Sequence, residues 1–518
     1  MATVRDATID LLRSFGMNRI FGNPGSTELP LFRDFPADFH YHLGLQESVV
    51  LGMADGYAQA SRNAAFVNLH SSAGVGHALG NLFTAYKNQT PMVVTAGQQA
   101  RSILPYEPYL FADRATEFPR PFVKWACEPA RPEDVPAAIA RAYHVAMEQP
   151  CGPTFVSVPV DDWDQPCEPP EIRHVVALNP GDPRALADAA EALARADNPA
   201  FVLGAGIARD DAWGDIVTLV ERHQGAVWVA PLAARNVFPE RHPLFAGFLR
   251  ASREAIVRDL DGHDLILVIG GPLSLYHIEG FGPHVPEGAQ VIQIVDNHAQ
   301  AAWSPSGSAI VANARHAVRS LLAGPRPMQR PARPPRVAPP PLDGRILTDA
   351  YIWQQIARLR PNGSVIVEEA PSSRAAMHDY LPIHDPDGFY TCASGGLGHG
   401  LPAAIGVALA RPDAKIIAVL GDGSSMYAIQ GLWSAAQLGL PISFVIIKNG
   451  RYQALLEFGR HFGLQRVEGT TLPDMDFVSM ARGQGLDAVL VTHAEELDAA
   501  MAASFSAGRP TLVEVQVD

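Results

Sequence analysis

Residues 421–449 read GDGSSMYAIQGLWSAAQLGLPISFVIIKN and follow directly on an apolar run, Ile416 to Leu420. The run predicts a buried strand that ends at Gly421-Asp422-Gly423. A helix is expected from near Ser424 to Gly439, because apolar residues recur at helical spacing and glycine commonly ends a helix. A second apolar run, Ile442 to Ile447, predicts a strand parallel to the first. The stretch therefore predicts a strand-helix-strand unit of an α/β domain.

Polar groups follow both predicted strands. Asp422 offers a carboxylate and Asn449 an amide oxygen, and Mg²⁺ prefers such oxygen ligands when it also binds phosphate. Gly421 and Gly423 allow the backbone to approach phosphate oxygens, and the helix that begins near Ser424 directs its N–H groups at the same anion. A bare Gly-Asp-Gly would favour a simple tight turn. The surrounding strand-helix-strand pattern instead favours a site for a metal-bound diphosphate.

Apolar runs alternate with helical patterns in three blocks, which predicts parallel sheets covered on both faces. The blocks are assigned to three doubly wound α/β domains at residues 1–180, 181–342 and 343–518. Residues 324–343, GPRPMQRPARPPRVAPPPLD, are too rich in proline for a helix or central strand and are interpreted as an extended linker. The predicted strands are Ala64 to Leu69, Pro91 to Ala96, Thr154 to Val158, Ala200 to Leu203, Ala226 to Ala230 and Leu265 to Ile269.

Length and composition limit the class of protein. The chain has 518 residues, is 47% hydrophobic and 18% charged, and carries a formal charge of −14. The negative charge disfavours nucleic acid and anionic membranes as partners. Residues 1–16 are predicted to form an amphipathic helix rather than a signal peptide, and no apolar run reaches the ~18 residues of a membrane span. We therefore expect a cytoplasmic protein without nucleic-acid or membrane partners.

Two further patterns have simple interpretations. Gly204-Ala205-Gly206 follows a strand like the start of a dinucleotide-binding motif, but Arg209 replaces the third glycine, which favours a plain strand-to-helix turn. The cysteines show no CxxC or zinc spacing and are expected to be reduced thiols. These cysteines are Cys127, Cys151, Cys167 and Cys392.

The opening stretch resembles the diphosphate motif of thiamine-diphosphate (ThDP) enzymes, a Gly-Asp-Gly followed some two dozen residues later by Asn. Here 25 residues separate Gly423 from Asn449. The resemblance extends along the chain and is strongest to the benzoylformate decarboxylases. Segments that carry it include FGNPGSTELP at 21–30, FVNLHSSAG at 66–74 and SGGLGHGLPAAIGVALA at 394–410. It implies a pyrimidine-binding first domain, a central domain and a diphosphate-binding third domain.

The resemblance also implies roles for individual residues. Glu47 would hydrogen-bond the aminopyrimidine ring of ThDP, while Ser26 would bind the substrate carboxylate. His70 and His277 would serve in proton transfer. Cofactor contacts are expected from Gly395, Leu397, Gly421, Asp422, Gly423, Ser424, Asn449 and Tyr452. The metal, Mg²⁺ or Ca²⁺, would be held by Asp422, Asn449 and the backbone carbonyl of Arg451.

The predicted substrate pocket departs from the family pattern. Where the benzoylformate decarboxylases have a small hydroxyl residue and an aromatic wall, this chain has Pro371 and Thr391. Phe458 is retained as an aromatic wall. Ser26, Tyr109, Leu110 and Phe111 are expected to line the pocket from the first domain. An apolar 2-oxo acid is the expected substrate.

The implied reaction is non-oxidative decarboxylation of an aromatic or apolar 2-oxo acid to an aldehyde and CO₂, with acyloin carboligation as a side activity. A homodimer would be the minimum active unit, and a homotetramer is expected. A ThDP-dependent lyase or synthase, such as a 2-hydroxyacyl-CoA lyase or an acetolactate synthase-like enzyme, is an alternative. A catalytically inactive ThDP-fold scaffold is a further alternative, although the presence of Glu47, Asp422 and Asn449 argues against it.

Overall fold

The structure is a computed structural model that describes residues 2–517. Its N-terminal part forms a six-stranded parallel sheet in the order β2-β1-β3-β4-β6-β5, flanked by helices. The core strands β3, β4 and β6 are buried along their whole length, as expected for strands covered on both faces. The elements are α1 Val4–Ser14, β1 Arg19–Gly22, β2 His40–Leu43, α2 Glu47–Ser61, β3 Ala65–Leu69, α3 Ser71–Asn88, β4 Met92–Gln98, β5 Ala126–Cys127, α4 Val135–Met147 and β6 Pro153–Pro159.

The central part forms a second six-stranded parallel sheet, in the order β12-β11-β10-β7-β8-β9. Its elements are α5 Pro183–Arg195, β7 Pro199–Leu203, α6 Gly206–Arg209, α7 Trp213–His223, β8 Ala226–Val229, β9 Phe245–Phe248, α8 Arg253–Asp259, β10 Leu265–Ile269, β11 Gln290–Val295, α9 His298–Trp303, β12 Ser308–Val311 and α10 Ala314–Ala323.

In the C-terminal part, parallel strands run side by side in the order β13-β15-β16-β18-β17. The elements are α11 Asp349–Leu359, β13 Val365–Glu369, α12 Arg374–Tyr380, β14 Phe389–Tyr390, α13 Gly400–Ala410, β15 Ile416–Gly421, α14 Asp422–Met426, α15 Gly431–Leu438, β16 Ile442–Lys448, α16 Gln453–His461, α17 Phe477–Gly483, β17 Asp487–Val491, α18 Ala494–Ser506 and β18 Thr511–Gln516. The three parallel sheets confirm the predicted α/β class.

Contacts divide the chain into two compact units. The first comprises the residues up to Val176, Asp343–Arg374 and the residues from Ser394 onward, and the second comprises Ala177–Leu342 and Ala375–Ala393. Within the first unit, α2 packs tightly on α13. A Cβ at Gly56 would overlap the carbonyl of Ala403, and one at Gly406 would overlap that of Met53. The predicted domain boundaries at 180 and 342 stay predictions.

The helix predicted from near Ser424 to Gly439 differs from the observed structure in one respect. It consists of two short helices, α14 and α15, rather than one. Tyr427 and Ala428 donate their N–H groups three residues back, at 3.3 and 3.2 Å, so the backbone tightens after α14 instead of continuing. Because α14 has only five residues, its dipole supports an anion less than the predicted long helix would. Gly439 does end α15, in the left-handed conformation.

The proline-rich stretch contains no helix or strand from residue 324 to 343, and its arginines attach it to the second unit. The Nε of Arg330 donates to the carbonyl of Ala196 at 2.9 Å, and the Nε of Arg333 donates to that of Gln224 at 3.0 Å. These carbonyls lie at the C-terminal ends of α5 and α7, where positive charge is favourable. In the same unit, a Cβ at Gly204 would lie 2.5 Å from the Cα of Gly271, so close backbone approach accounts for this glycine.

Candidate active site

Asp422 connects the ends of β15 and β16. Its Oδ1 accepts the N–H of Gly423 at 2.7 Å, and its Oδ2 accepts those of Asn449 at 3.1 Å and Gly450 at 2.7 Å. The residue is only 4% exposed. The strand ends predicted to lie side by side are therefore joined through this carboxylate.

The charge of Asp422 is suited to a cation. Burial raises the pKa of Asp422, while the three N–H donors oppose that shift. Within residues 2–517, no lysine, arginine or histidine forms a salt bridge with it. A buried carboxylate without a paired cation is costly, and a divalent ion would offset that cost. The donor chemistry at Asp422 thus fits a metal ion.

The other predicted metal ligands lie next to Asp422. The Oδ1 of Asn449 accepts the N–H of Arg451 at 3.0 Å, and the carbonyl of Arg451 accepts that of Gln453 at 3.1 Å. Residues 2–517 contain no cluster of three or more His, Cys, Asp or Glu side chains suited to a metal. A metal here would therefore use one carboxylate, amide and carbonyl oxygens, and ligand oxygens.

Gly423 makes room for Tyr452. A Cβ at Gly423 would overlap the Tyr452 ring, so a larger residue would displace that ring. Burial raises the pKa of the Tyr452 hydroxyl, and a hydrogen bond with Tyr427 adds to the shift. Ser424 is buried beside Asp422. We call Asp422, Gly423, Ser424 and Tyr452 the Asp422 cradle, and their predicted contacts with a diphosphate stay a prediction.

Gly395 and Leu397 lie in the loop that precedes α13, and we call residues 394–400 the 394–400 loop. Gly395 has a φ of +72° and is exposed, while Leu397 is half-buried. Gly398 has a φ of +93°, and a Cβ there would lie 2.6 Å from the Cβ of Tyr427. The loop therefore contacts Tyr427, the tyrosine that adds to the raised pKa of Tyr452.

Two buried acidic groups hold this loop, and neither was predicted from the sequence. The Oε1 of Glu369 accepts the N–H of Gly398 at 2.6 Å, and its Oε2 accepts that of Gly400. Burial raises the pKa of Glu369 to about 7. Asp55 of α2 pairs with His399, with 2.5 Å between Oδ2 and Nε2. The sequence signal for Glu369 was its position at the end of an apolar strand.

Glu47 begins α2 and is 7% exposed. Its Oε1 accepts a hydrogen bond from Asn23 Nδ2 at 3.2 Å, and its Oε2 lies 3.0 Å from Nδ1 of His77. Neither Asn23 nor His77 was predicted from the sequence. The carboxylate is therefore held on both oxygens by polar side chains.

His70 lies in a second polar group. Its Nδ1 is 2.8 Å from Oε2 of Glu28 and 3.1 Å from Oγ1 of Thr27. A Cβ at Gly25 would overlap the His70 ring. The exposed Ser26 lies between Gly25 and Thr27 in the chain, so the loop that carries it is packed against the imidazole. Glu28, which is 1% exposed, was missed because it lies 42 residues from His70.

Predicted pocket residues of the first unit lie in two places. Leu110 has a positive φ, and its carbonyl accepts the Ser71 hydroxyl at 2.5 Å, directly beside His70. Tyr109 is 87% exposed. Phe458 is half-buried in α16, and this helix packs against the 3₁₀ turn Pro371–Ser373.

Two predicted site residues belong to the second unit. His277 is exposed, and its N–H donates to the carbonyl of Ala251 at 2.9 Å. Thr391 is 1% exposed, and its N–H donates to the carbonyl of Ala234 at 2.9 Å. Their roles toward the substrate stay predictions.

Comparisons with known proteins assign the three parts of the chain to one family of enzymes. Three family models match: the N-terminal thiamine pyrophosphate (TPP) binding domain of TPP enzymes at residues 2–114, their central domain at 186–321 and their C-terminal TPP binding domain at 371–515. Thiamine pyrophosphate is another name for ThDP. The last match includes the Asp422 cradle and the 394–400 loop.

Relatives match over nearly the whole chain. A benzoylformate decarboxylase of Pseudomonas aeruginosa is 41% identical, covering 99% of both chains. The crystal structure of benzoylformate decarboxylase from Polynucleobacter necessarius has a TM-score of 0.98 at 37% identity, covering 100% of this chain and 99% of the other. A ThDP-dependent 4-hydroxybenzoylformate decarboxylase of Rhodococcus jostii has a TM-score of 0.96 at 39% identity, with the same coverage. Because three family models and relatives of nearly full length match it, the chain belongs to the ThDP-dependent decarboxylases, as a carboxy-lyase related to the benzoylformate decarboxylases.

Proposed function

We propose that the protein converts an aromatic or otherwise apolar 2-oxo acid to an aldehyde and CO₂, using ThDP and Mg²⁺ or Ca²⁺. The observation that carries this proposal is the full-length similarity to a benzoylformate decarboxylase, joined to a buried carboxylate, Asp422, at the end of β15. The similarity to a 4-hydroxybenzoylformate decarboxylase supports a substrate with a substituted ring.

ThDP, when bound, supplies the electron sink that decarboxylation of a 2-oxo acid requires. Asp422, Asn449 and the Arg451 carbonyl would hold the metal. Gly421, Gly423, Ser424 and Tyr452 would bind the diphosphate. The carbonyl of Gly395 would accept a hydrogen bond from the amino group of the cofactor, Leu397 would pack against the cofactor, and Glu47 would hydrogen-bond the aminopyrimidine ring.

The contacts of His70 support a role in proton transfer. With Glu28 accepting from Nδ1–H, the imidazole keeps Nε2 for exchanging a proton with the substrate. Glu28 also accepts the N–H groups of Gly25 at 2.8 Å and Gly97 at 3.0 Å, so its position is fixed. Ser26, held in the adjacent loop, would hydrogen-bond the substrate carboxylate. His277 would assist a later proton transfer.

We also propose carboligation as a side activity and a homodimer as the minimum active unit, with a homotetramer expected. In the family, the first and third domains of different subunits enclose each cofactor. Every helix within residues 2–517 is too short or too polar for a membrane span. Separately, we propose a cytoplasmic location.

The test is a substrate panel assayed with protein stripped of cofactor by chelation and gel filtration. Benzoylformate, 4-hydroxybenzoylformate, pyruvate and a 2-hydroxyacyl-CoA are each supplied with and without ThDP and Mg²⁺, and CO₂ and aldehyde are both measured. We expect activity on the aromatic acids only when both ThDP and metal are present. Full activity without them would refute the cofactor assignment. A preference for pyruvate with acetolactate as product, or for the CoA ester, would favour the alternatives.

A further inference from the structure

The 394–400 loop is held by polar contacts from several elements of the first unit. Ser394 Oγ lies 2.8 Å from Thr84 Oγ1, and the carbonyl of Gly398 accepts Asn81 Nδ2 at 3.1 Å. His399 is paired with Asp55, as described above. The loop contains Gly395 and Leu397, so its position determines where these two residues lie.

The carboxylate of Glu369 accepts two N–H groups of this loop. It is 2% exposed, and both of its oxygens are used on Gly398 and Gly400. The preceding Glu368 differs: it accepts the N–H of Ala370 at 2.6 Å and pairs with Arg374 at 2.6 Å. Two adjacent buried glutamates thus have separate partners, because successive side chains of a strand point to opposite faces.

Glu369 also lies beside the Asp422 cradle. In the sheet it is the register partner of Leu420, which immediately precedes Gly421. On the other side of the loop, Gly398 packs against Tyr427, which interacts electrostatically with Tyr452. The loop therefore lies between two features of the site. One is the end of β15, which is followed by Asp422, and the other is the pair Tyr427 and Tyr452 next to Gly423.

We propose that Glu369 is a positioning residue that holds the 394–400 loop where Gly395 and Leu397 can contact ThDP. This inference rests on the proposed cofactor contacts of Gly395 and Leu397. Glutamate is required here because the site presents two N–H donors at once. A glutamine would offer one acceptor oxygen and would place its own NH₂ donor against the second N–H.

The first measurement is amide hydrogen exchange of the cofactor-free protein at pH 8, compared between wild type and Glu369→Gln. Loss of a hydrogen bond to a charged group weakens protection about 10- to 100-fold. We expect faster exchange by about that factor in peptides covering 394–400. Glu368→Gln is the matched control, with the same chemical change in the same buried strand, and should leave these peptides unchanged.

The second measurement is the affinity for ThDP in the presence of Mg²⁺, by calorimetric titration. We expect Glu369→Gln to weaken it by about 10-fold or more, and Glu368→Gln to change it by less than about 3-fold. If Glu369→Gln does not fold, Glu369→Asp takes its place in both measurements. The aspartate keeps the charge, but its carboxylate is withdrawn by one methylene. This variant should therefore loosen the loop to a smaller degree.

Unchanged exchange in 394–400, or an equal change in both glutamine variants, would overturn the proposal. Faster exchange with unaltered ThDP affinity would also overturn it, because the loop would then not position the cofactor. Neither measurement uses catalysis. A protein that binds ThDP but decarboxylates none of the panel would therefore refute the proposed function while leaving this inference intact.

Discussion

Asp55 and His399 form an ion pair that is shielded from solvent, with Oδ2 2.5 Å from Nε2 and side-chain exposures of 0% and 1%. Asp55 lies in α2, the helix that begins at Glu47, and His399 directly precedes α13. The pair therefore joins α2 to the start of α13. Gln59 and Asn88 also donate to Oδ2 of Asp55, at 2.6 and 3.0 Å. Burial opposes both charges, but the attraction holds the pKa of Asp55 below and that of His399 above its ordinary value.

Replacing Asp55 by Ala should destabilise the protein strongly, because it leaves a buried histidine without its partner. The expected loss is about 3–5 kcal/mol of unfolding free energy at neutral pH, measured by urea denaturation. Glu468→Ala, which breaks the exposed pair with Arg466, is the control and should have no measurable effect. Equal stability of the two variants would contradict the importance of the buried pair.

Glu369 should make stability depend on pH. Its pKa is raised from 4.5 to about 7 by burial, so the folded protein retains a proton that the unfolded chain loses above about pH 4.5. Stability relative to Glu369→Gln should therefore fall as pH rises from about 4.5 to 7 and level off above that. The shift corresponds to a change of about 3 kcal/mol.

The measurement is urea denaturation of wild type and Glu369→Gln at pH 5 and pH 8. Glu468→Gln, an exposed carboxyl variant, serves as the control and should differ from wild type by the same amount at both pH values. A constant difference between wild type and Glu369→Gln would show that Glu369 titrates at its ordinary pKa.

Asp422→Asn should weaken cofactor binding without impairing the fold. The amide oxygen can still accept one backbone N–H, while the charge that a divalent ion would neutralise is removed. We expect ThDP affinity at fixed Mg²⁺ to fall about 10-fold or more, and the cofactor-free variant to unfold at a similar urea concentration. Exposed Asp413→Asn is the control. Unaltered Mg²⁺ dependence in Asp422→Asn would argue against a metal at this carboxylate.

Glu47→Gln should keep the fold and most of the ThDP affinity but slow exchange of the C2 proton of bound ThDP. Removing a positioned acid-base group costs about 10²–10⁴-fold. NMR after transfer to deuterated water measures the rate, and calorimetric titration verifies that the cofactor remains bound. An unaltered rate would mean that Glu47 does not activate the cofactor.

The strands could be predicted from the sequence because each is a dense apolar run, as in Ile416–Gly421, and because parallel sheets bury such runs on both faces. Asp422 and Asn449 could be identified because they follow two such runs. The contact of Glu28 with His70 spans 42 residues, and that of Asp55 with His399 spans 344. No local pattern encodes these pairings, since they depend on how helices and loops pack after the sheets form.

The break between α14 and α15 could not be predicted either. Apolar spacing from Ile429 to Ala436 is helical and does not show where the first turn ends. The deviation arises at Tyr427, which packs beside Gly398 and interacts electrostatically with Tyr452. Tertiary contacts at the site thus replaced the regular helix that local propensity favours.

Phe458 and Thr391 should set the ranking of substrates. Phe458→Ala is expected to lower kcat/KM for benzoylformate and 4-hydroxybenzoylformate more than for short aliphatic 2-oxo acids, because an aromatic wall favours aromatic rings. Thr391→Phe should shift preference toward unsubstituted benzoylformate, since added bulk in an apolar pocket discriminates by about 1–3 kcal/mol, or roughly 10–200-fold.

Phe462→Ala, which removes a phenylalanine that is 66% exposed at the end of α16, is the control and should leave the ranking unaltered. Steady-state kinetics over the panel, with circular dichroism to verify folding, provide the measurement. If Phe458→Ala and Thr391→Phe both preserve the wild-type ranking, neither residue lines the pocket and specificity must come from elsewhere. The next residues to vary are then Leu110, whose carbonyl accepts the Ser71 hydroxyl next to His70, and the exposed Tyr109.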